Sequence, residues 1–369
     1  MKVLFLSITA GYGHHMCAQA AIDYLQGKGV ECQMLDALEC VTPILSQTVS
    51  RGFLLTTQYS RAAYSWVYRW TELKEEPSPR ISVSRMTHTF LSKRLETYLD
   101  NFKPDVIVCT HVFSAQMLTQ LMMNKKKSKR PKTIGIVTDF TIHPYWEDTV
   151  LDYYLIANEL LANQFCKKNL PKEKILPFGI PIHKKFAKQI SREDARAKLK
   201  FDDKRTVLLM SGSMGFGNVT KSIRQLDRLD LDFQIVTVCG NNRRLKKHVA
   251  AMKTRKKLYN YGFTDKIDLL MSAADCIVTK PGGLTTSEAL AKGLVLIVSS
   301  TIPGQEERNI EFLMNNGLAM RATRTFPLDE CIFQLFGNSG RLEKSAELTR
   351  ALAKPNAAAD LGDFILQIS

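Results

Sequence analysis

Three stretches of this chain hold residues whose types and spacing suit chemistry, and each follows an apolar run. Pro281-Gly282-Gly283 lies between Cys276 to Thr279, a β-branched strand pattern, and a helical pattern that opens at Leu284 or Thr285. A glycine pair at such a junction lets backbone amides approach an anion, and the dipole of the helix behind them favours negative charge. A phosphate or diphosphate fits there. Glu288, one turn into that helix, can aim its carboxylate at a ribose diol. Thr285-Thr286-Ser287-Glu288 fits a capping box equally well, with the glutamate turned back onto the cap residue's amide.

The second stretch is Thr9-Ala10-Gly11-Tyr12-Gly13-His14-His15, a glycine turn between the apolar run Val3 to Ile8 and a helical stripe of Ala18, Ala21, Ile22 and Leu25. It differs from the dinucleotide pattern G-x-G-x-x-G in lacking the third glycine. His14 there could exchange a proton in a cleft, or serve a structural or surface duty. Asp139 and His143 lie just beyond the strand pattern Thr133 to Val137 and are open to the same two readings, active-site residue or loop cap. The third stretch, Ser211 to Asn218, repeats the glycine-rich loop ahead of a helix.

The elements that must position these residues alternate regularly. Asp105 to Cys109 reads as a strand, Ala115 to Met123 as a helix, Tyr153 to Ile156 as a strand and Leu160 to Lys168 as a helix. A second series begins at Thr206 to Met210 and runs through Phe233 to Cys239, Lys257 to Tyr261, Asp268 to Ala274 and Leu294 to Ser299. Such βα alternation predicts α/β architecture, with two Rossmann-like doubly wound domains facing across a cleft. Ile175 to Phe186, with two prolines, a glycine and no clear period, is the expected crossover. The domains are placed at 1–180 and 181–355, and the helix within 356–369 is expected to cross back onto the first.

Composition agrees with two domains: 369 residues, 45% of them hydrophobic, exceed what one core usually supports. The eight cysteines are scattered without a C-x-x-C pair, which points to reduced thiols in the cytoplasm and away from a zinc site. No apolar run approaches the ~18–20 residues that span a bilayer. The net charge of +15 requires anionic partners or a solvated basic surface. Basic residues gather at Lys125 to Lys132 and Arg243 to Lys257, yet no strand pair carries the aromatic platform of a nucleic-acid binder. Between Val41 and Phe102, Tyr59, Ala63, Trp66, Val67 and Trp70 share a helical face, with Arg51, Phe53, Arg61 and Arg69 nearby. Aromatics beside arginines suit a membrane interface; an ordinary helix packed on its own domain is the other reading.

The order of motifs carries a resemblance. G-x-G-H near the start, T-D-F at Thr138 with His143 downstream, G-I-P-I, G-S-x-G-x-G, V-C-G-x-N, Y-G-F, T-K-P-G-G and P-G-Q-E resemble, over about Val3 to Asn316, the family of bacterial diacylglycerol glucosyltransferases and plant monogalactosyldiacylglycerol synthases. That family is similar to the enzyme that adds N-acetylglucosamine to lipid-linked muramyl peptide and shares its two-domain GT-B architecture. The resemblance implies an inverting transfer of glucose or galactose from a UDP-sugar to diacylglycerol, with no cofactor and no metal. It implies that Tyr261, Gly262 and Phe263 meet the uracil, Gly282 and Gly283 the diphosphate, Glu288 the ribose, and Gln305 with Glu306 the sugar hydroxyls, with Gly212 and Ser213 closing over the phosphates. Lys280, Pro281, Thr285 and Asn309 are further residues of the expected donor site. His14 matches the family's proposed base, and Asp139 is the carboxylate expected to orient it.

The implied partners are a UDP-sugar, diacylglycerol and anionic membrane lipids, at the cytoplasmic face of the cell membrane, with Arg51, Phe53, Arg61, Trp66, Arg69 and Trp70 as the docking residues. Two other readings stay open at this level: transfer to another lipid acceptor such as a polyprenyl-linked one, and a non-catalytic module that senses UDP-sugar or lipid.

Overall fold

Apolar runs rich in β-branched residues become parallel strands covered by helices, as their nearly unbroken hydrophobicity requires. The computed structural model describes residues 1–8, 12–37, 94–123, 130–210, 218–301 and 304–369. The chain divides into two units, Met1–Lys184 with Pro303–Gln305 and Asn356–Ser369, and Lys185–Ile302 with Glu306–Pro355.

In the first unit, strands β1 (Lys2–Ser7), β2 (Glu31–Asp36), β3 (Val106–Cys109), β4 (Lys132–Ile136), β5 (Tyr153–Leu155) and β6 (Ile175–Leu176) pair in the order β2-β1-β3-β4-β5-β6. All the pairings are parallel. Strand order reverses between β1 and β3, and open α/β sheets hold their ligands at the carboxyl ends beside such a switch. The residues after β1 and β3 are therefore the first places to look for chemistry.

The second unit repeats the plan with β7 (Thr206–Met210), β8 (Gln234–Val238), β9 (Leu258–Tyr261), β10 (Cys276–Thr279), β11 (Val295–Val298) and β12 (Ala319–Arg321), ordered β12-β11-β10-β7-β8-β9. Every residue of β10 and β11 is buried. Its switch point lies between β7 and β10, which puts the Pro281 loop at the sheet's reversal. The core beneath includes Ile223, Ile235, Ile297, Ile332 and Leu335.

Some elements differ from the sequence expectation. The segment read as a crossover without period contains β6, too short to show a period in the sequence. Leu160 to Lys168 is a tight turn, Glu159–Leu161, followed by the short helix Ala162–Cys166. The reason is local: the Asn158 side chain accepts the Leu160 N–H at 3.0 Å and starts the turn. Among the described residues no helix is long and apolar enough to cross a membrane. Arg51, Phe53, Arg61, Trp66, Arg69 and Trp70 lie outside the described residues.

The last helix, Ala357–Ile368, packs on the helix Tyr12–Gly27 within the first unit. Tyr24 donates its hydroxyl to Asp363 at 2.7 Å, and Phe364 meets Tyr153 edge-on at 4.9 Å. Gly362 makes this contact possible, because a Cβ there would sit 2.3 Å from Cδ1 of Tyr24. Glycine to alanine in an exposed helix interior stabilises by about 1 kcal/mol. Here the sign should reverse: Gly362→Ala is expected to destabilise by about 1–3 kcal/mol through overpacking, read as a lowered melting temperature, and an unchanged or raised one would show that the helix does not bear on Tyr24.

Candidate active site

The first unit gathers its polar groups where β1, β3 and β4 end. His14 is the third residue of the helix Tyr12–Gly27, its Nδ1 2.8 Å from the Thr110 carbonyl oxygen and 3.1 Å from the Thr138 hydroxyl. A carbonyl only accepts, so Nδ1 carries the proton and Nε2 keeps its lone pair. Burial pushes the His14 pKa below its ordinary value, partly offset by the Thr110 carbonyl. The ring is thus neutral near pH 7 and holds a lone pair that can take up a proton.

Thr110 was not singled out in the sequence, yet it occupies the orienting position expected of Asp139. The Asp139 carboxylate instead accepts the side-chain amide of Gln305, which groups with the first unit. Backbone geometry thus puts the Thr110 carbonyl at the His14 nitrogen where a carboxylate was expected, and the Gln305 side chain lies against Asp139. His143 takes the capping reading, with Nδ1 accepting the Tyr145 N–H at 3.2 Å at the start of Pro144–Trp146. His111, immediately after β3, was also missed, although it meets the same criterion that singled out His14 and Asp139. Its ring stands 4.8 Å from that of His14.

In the second unit the helix Gly283–Ala291 starts at Gly282, with no side chain capping it. The helix opens three residues earlier than the capping-box reading needs, its cap at Gly282 instead of Thr285, so Glu288 is too far along to reach the cap, and that reading falls. The amides of the first turn have no partner inside the helix. Gly282 has φ −71° and ψ 138°, and a Cβ built there meets nothing within 4 Å. Neither backbone conformation nor packing requires glycine at this place; the open space before the amides is what it preserves. Asn309, fully buried, donates to the Pro281 carbonyl at 3.0 Å, and Lys280 pairs with Glu306 at 2.8 Å. Lys280, Pro281, Gly282, Gly283, Thr285, Glu306 and Asn309 are thereby brought together, with the Glu306 carboxylate turned to Lys280.

Glu288 lies farther along the same helix. The residue as a whole is half-buried. Burial pushes its pKa up to about 8; Lys185 opposes the shift and Asp268 adds to it. Lys185 ties this corner together, donating to the Asp265 carbonyl at 2.6 Å and lying 3.5 Å from Asp268. Tyr261, Gly262 and Phe263 sit at the end of β9, three strands from β10, or about 14 Å at ~4.8 Å per strand. Phe263 is 73% exposed, a free ring face for stacking. Gly212 and Ser213 lie outside the described residues. A cavity of about 430 Å³ at the other end of this sheet is lined by charged residues, among them Lys204 paired with Asp232 at 2.9 Å, Lys257 with Asp202 at 2.6 Å and Arg255 with Asp230 at 3.8 Å, while Lys256 donates to the Leu231 carbonyl at 2.6 Å.

Solved structures share this fold. The chain is similar to MurG of Acinetobacter baumannii, with a TM-score of 0.67 and 16% identity over 99% of both chains. It is also similar to CalG4, the calicheamicin glycosyltransferase, with a TM-score of 0.63 and 13% identity over 100% of this chain and 97% of that one. Two doubly wound units, each built on a parallel six-stranded sheet, are the GT-B architecture that these structures share. Residues 14–182 match the monogalactosyldiacylglycerol (MGDG) synthase family and residues 191–324 the glycosyl transferases group 1. The processive diacylglycerol beta-glucosyltransferase of Bacillus pumilus is 26% identical over 99% of this chain and 95% of its own length. The probable monogalactosyldiacylglycerol synthase 3 of Oryza sativa is 28% identical over 76% of this chain and 58% of its own. The chain is thus similar, across both of its units, to bacterial diacylglycerol glucosyltransferases and plant MGDG synthases.

Proposed function

We propose that the chain transfers a hexose, glucose or galactose, from a UDP-sugar to the hydroxyl of diacylglycerol, forming a membrane glycolipid with inversion at the anomeric carbon. The uncapped start of the helix Gly283–Ala291, with open space before Gly282, carries this reading, because it is a seat for the diphosphate that departs. His14 Nε2 takes the proton from the glycerol hydroxyl as its oxygen bonds to the anomeric carbon. The bond from that carbon to the diphosphate breaks, and its electron pair leaves with UDP. First-turn amides and the helix dipole receive the developing charge. Glu288 accepts from the ribose hydroxyls.

The acceptor stays in the bilayer, so the protein works at a membrane surface. The net charge of +15 supports binding to anionic lipid, at ~1 kcal/mol for each basic residue near the surface. Purified protein given radiolabelled UDP-glucose or UDP-galactose and diacylglycerol vesicles is expected to yield labelled glycolipid on a thin-layer plate. Turnover only with a polyprenyl-linked acceptor, or donor binding without any turnover, would overturn the assignment.

Glu288 also makes donor affinity depend on pH. In the empty protein the carboxyl titrates near pH 8, and hydrogen bonds from ribose favour its ionised form. Binding below pH 8 therefore releases a proton. Affinity for UDP-glucose should rise between pH 6 and about 8, by at most about tenfold per unit, and level off above. Calorimetry across that range should show the slope in the natural protein and none in Glu288→Gln; equal slopes in both would remove Glu288 from the donor site.

A further inference from the structure

We propose that His111 is a positioning residue for His14, its imidazole bracing the His14 ring and shielding it from water. The inference rests on His14 as the base and adds a residue that reading does not contain. The ring centroids are 4.8 Å apart and the planes meet at 83°. His111 is held on its own account: its Nδ1 accepts the Phe113 N–H at 3.1 Å, and its carbonyl accepts the Ala115 N–H at 3.1 Å and the Ser114 hydroxyl at 2.7 Å. The Ser114 hydroxyl also lies 3.1 Å from the Leu6 carbonyl on β1. His111 is thus the cap of the helix Val112–Met123, locked to the sheet, and it presents a fixed ring to the first turn of another helix.

The residue before it, Thr110, supplies the carbonyl that takes the His14 Nδ1 proton. Thr110 and His111 therefore hold His14 from two directions, one setting the rotation of the ring in its own plane and the other its tilt. With Nδ1 occupied by the Phe113 N–H, neutral His111 carries its proton on Nε2. Burial keeps its pKa well below the ordinary value, and the titratable groups acting on it, His14 from the helix Tyr12–Gly27 and His143 from the turn before Pro144, push the same way. When His14 gains a proton, His111 stays neutral, and the added charge remains on one ring.

The alternative is that His111 only caps its helix, and two substitutions separate the roles. His111→Asn keeps an acceptor for the Phe113 N–H, since asparagine is a good cap, but deletes the ring. His111→Phe keeps a ring and loses the cap. His111→Asn should retain the natural melting temperature, lower kcat about tenfold through misplacement of the base, and move the acid limb of the kcat profile up by roughly one pH unit, because a hydrated His14 protonates more readily. His111→Phe should melt a few degrees lower and restore the pH profile.

Titration of His14 by nitrogen-15 NMR without substrate reads the same shift independently of turnover. An unshifted titration and natural kcat in His111→Asn would show that His111 is a cap and nothing more. Full turnover in His14→Ala would instead end the reading of His14 as base, while the titration would still report whether the two rings are coupled.

Discussion

His14→Ala is expected to lower turnover about 100-fold or more, the usual scale for losing a general base, while affinity for UDP stays within about threefold. The asymmetry follows from where the groups sit. His14 belongs to the first unit and is held there by Thr110 and Thr138; the proposed nucleotide contacts belong to the second. A glycerol hydroxyl is a poor nucleophile near neutrality, and neither hydrogen-bond partner of the His14 ring among the described residues has a lone pair of matching basicity, because Thr110 contributes a carbonyl and Thr138 a hydroxyl. The sign of the pH dependence is fixed by the environment of the ring. Burial lowers the His14 pKa below the ordinary 6.5, so the base form persists through neutrality and activity declines only as pH falls through that lowered value. Single-turnover rates from pH 5 to 9, with UDP binding measured by calorimetry, check both halves. A variant that keeps its turnover would take His14 out of the mechanism.

The second large effect is expected at Gly282, where valine should weaken UDP-glucose about 100-fold or more, as the loss of two hydrogen bonds to a charged group implies. The protein should fold as before. Gly282 has an ordinary extended conformation that valine adopts readily, and a Cβ there touches nothing within 4 Å. The side chain would fill the space through which a phosphate approaches the amides of Gly283 and Leu284. An unchanged melting temperature with lost binding would tie the glycine to the ligand. Undiminished binding would mean that the diphosphate does not rest on this helix.

Much of this was legible before the fold was known, for a physical reason. A parallel strand buried on both faces must be continuously apolar, and a helix start left open to an anion favours residues without side chains, so Cys276 to Thr279 followed by Pro281-Gly282-Gly283 stands out as a strand, an open turn and a helix start. The strand β10 and the helix after it were anticipated to within about two residues. The same logic placed His14 beyond β1. What local pattern could not convey was which groups come together from distant segments. Asp139 was the expected partner of His14 because a carboxylate is the chemically conspicuous choice. The partner found is the carbonyl of Thr110, 96 residues away, and a backbone oxygen has no signature in sequence.

Glu288 shows the same division. Its helical face was legible, but whether it capped its own helix depended on where that helix begins, and its pKa near 8 depends on burial among chain segments that include Lys185 and Asp268. By itself the sequence determined the two βα series, the glycine-led helix starts and the residue types able to hold phosphate and move a proton, since these follow from periodicity and side-chain size. Only the tertiary structure decided the partners and protonation of those residues, because hydrogen bonds and desolvation are set by neighbours that the folded sheet, and not chain order, brings within a few ångströms.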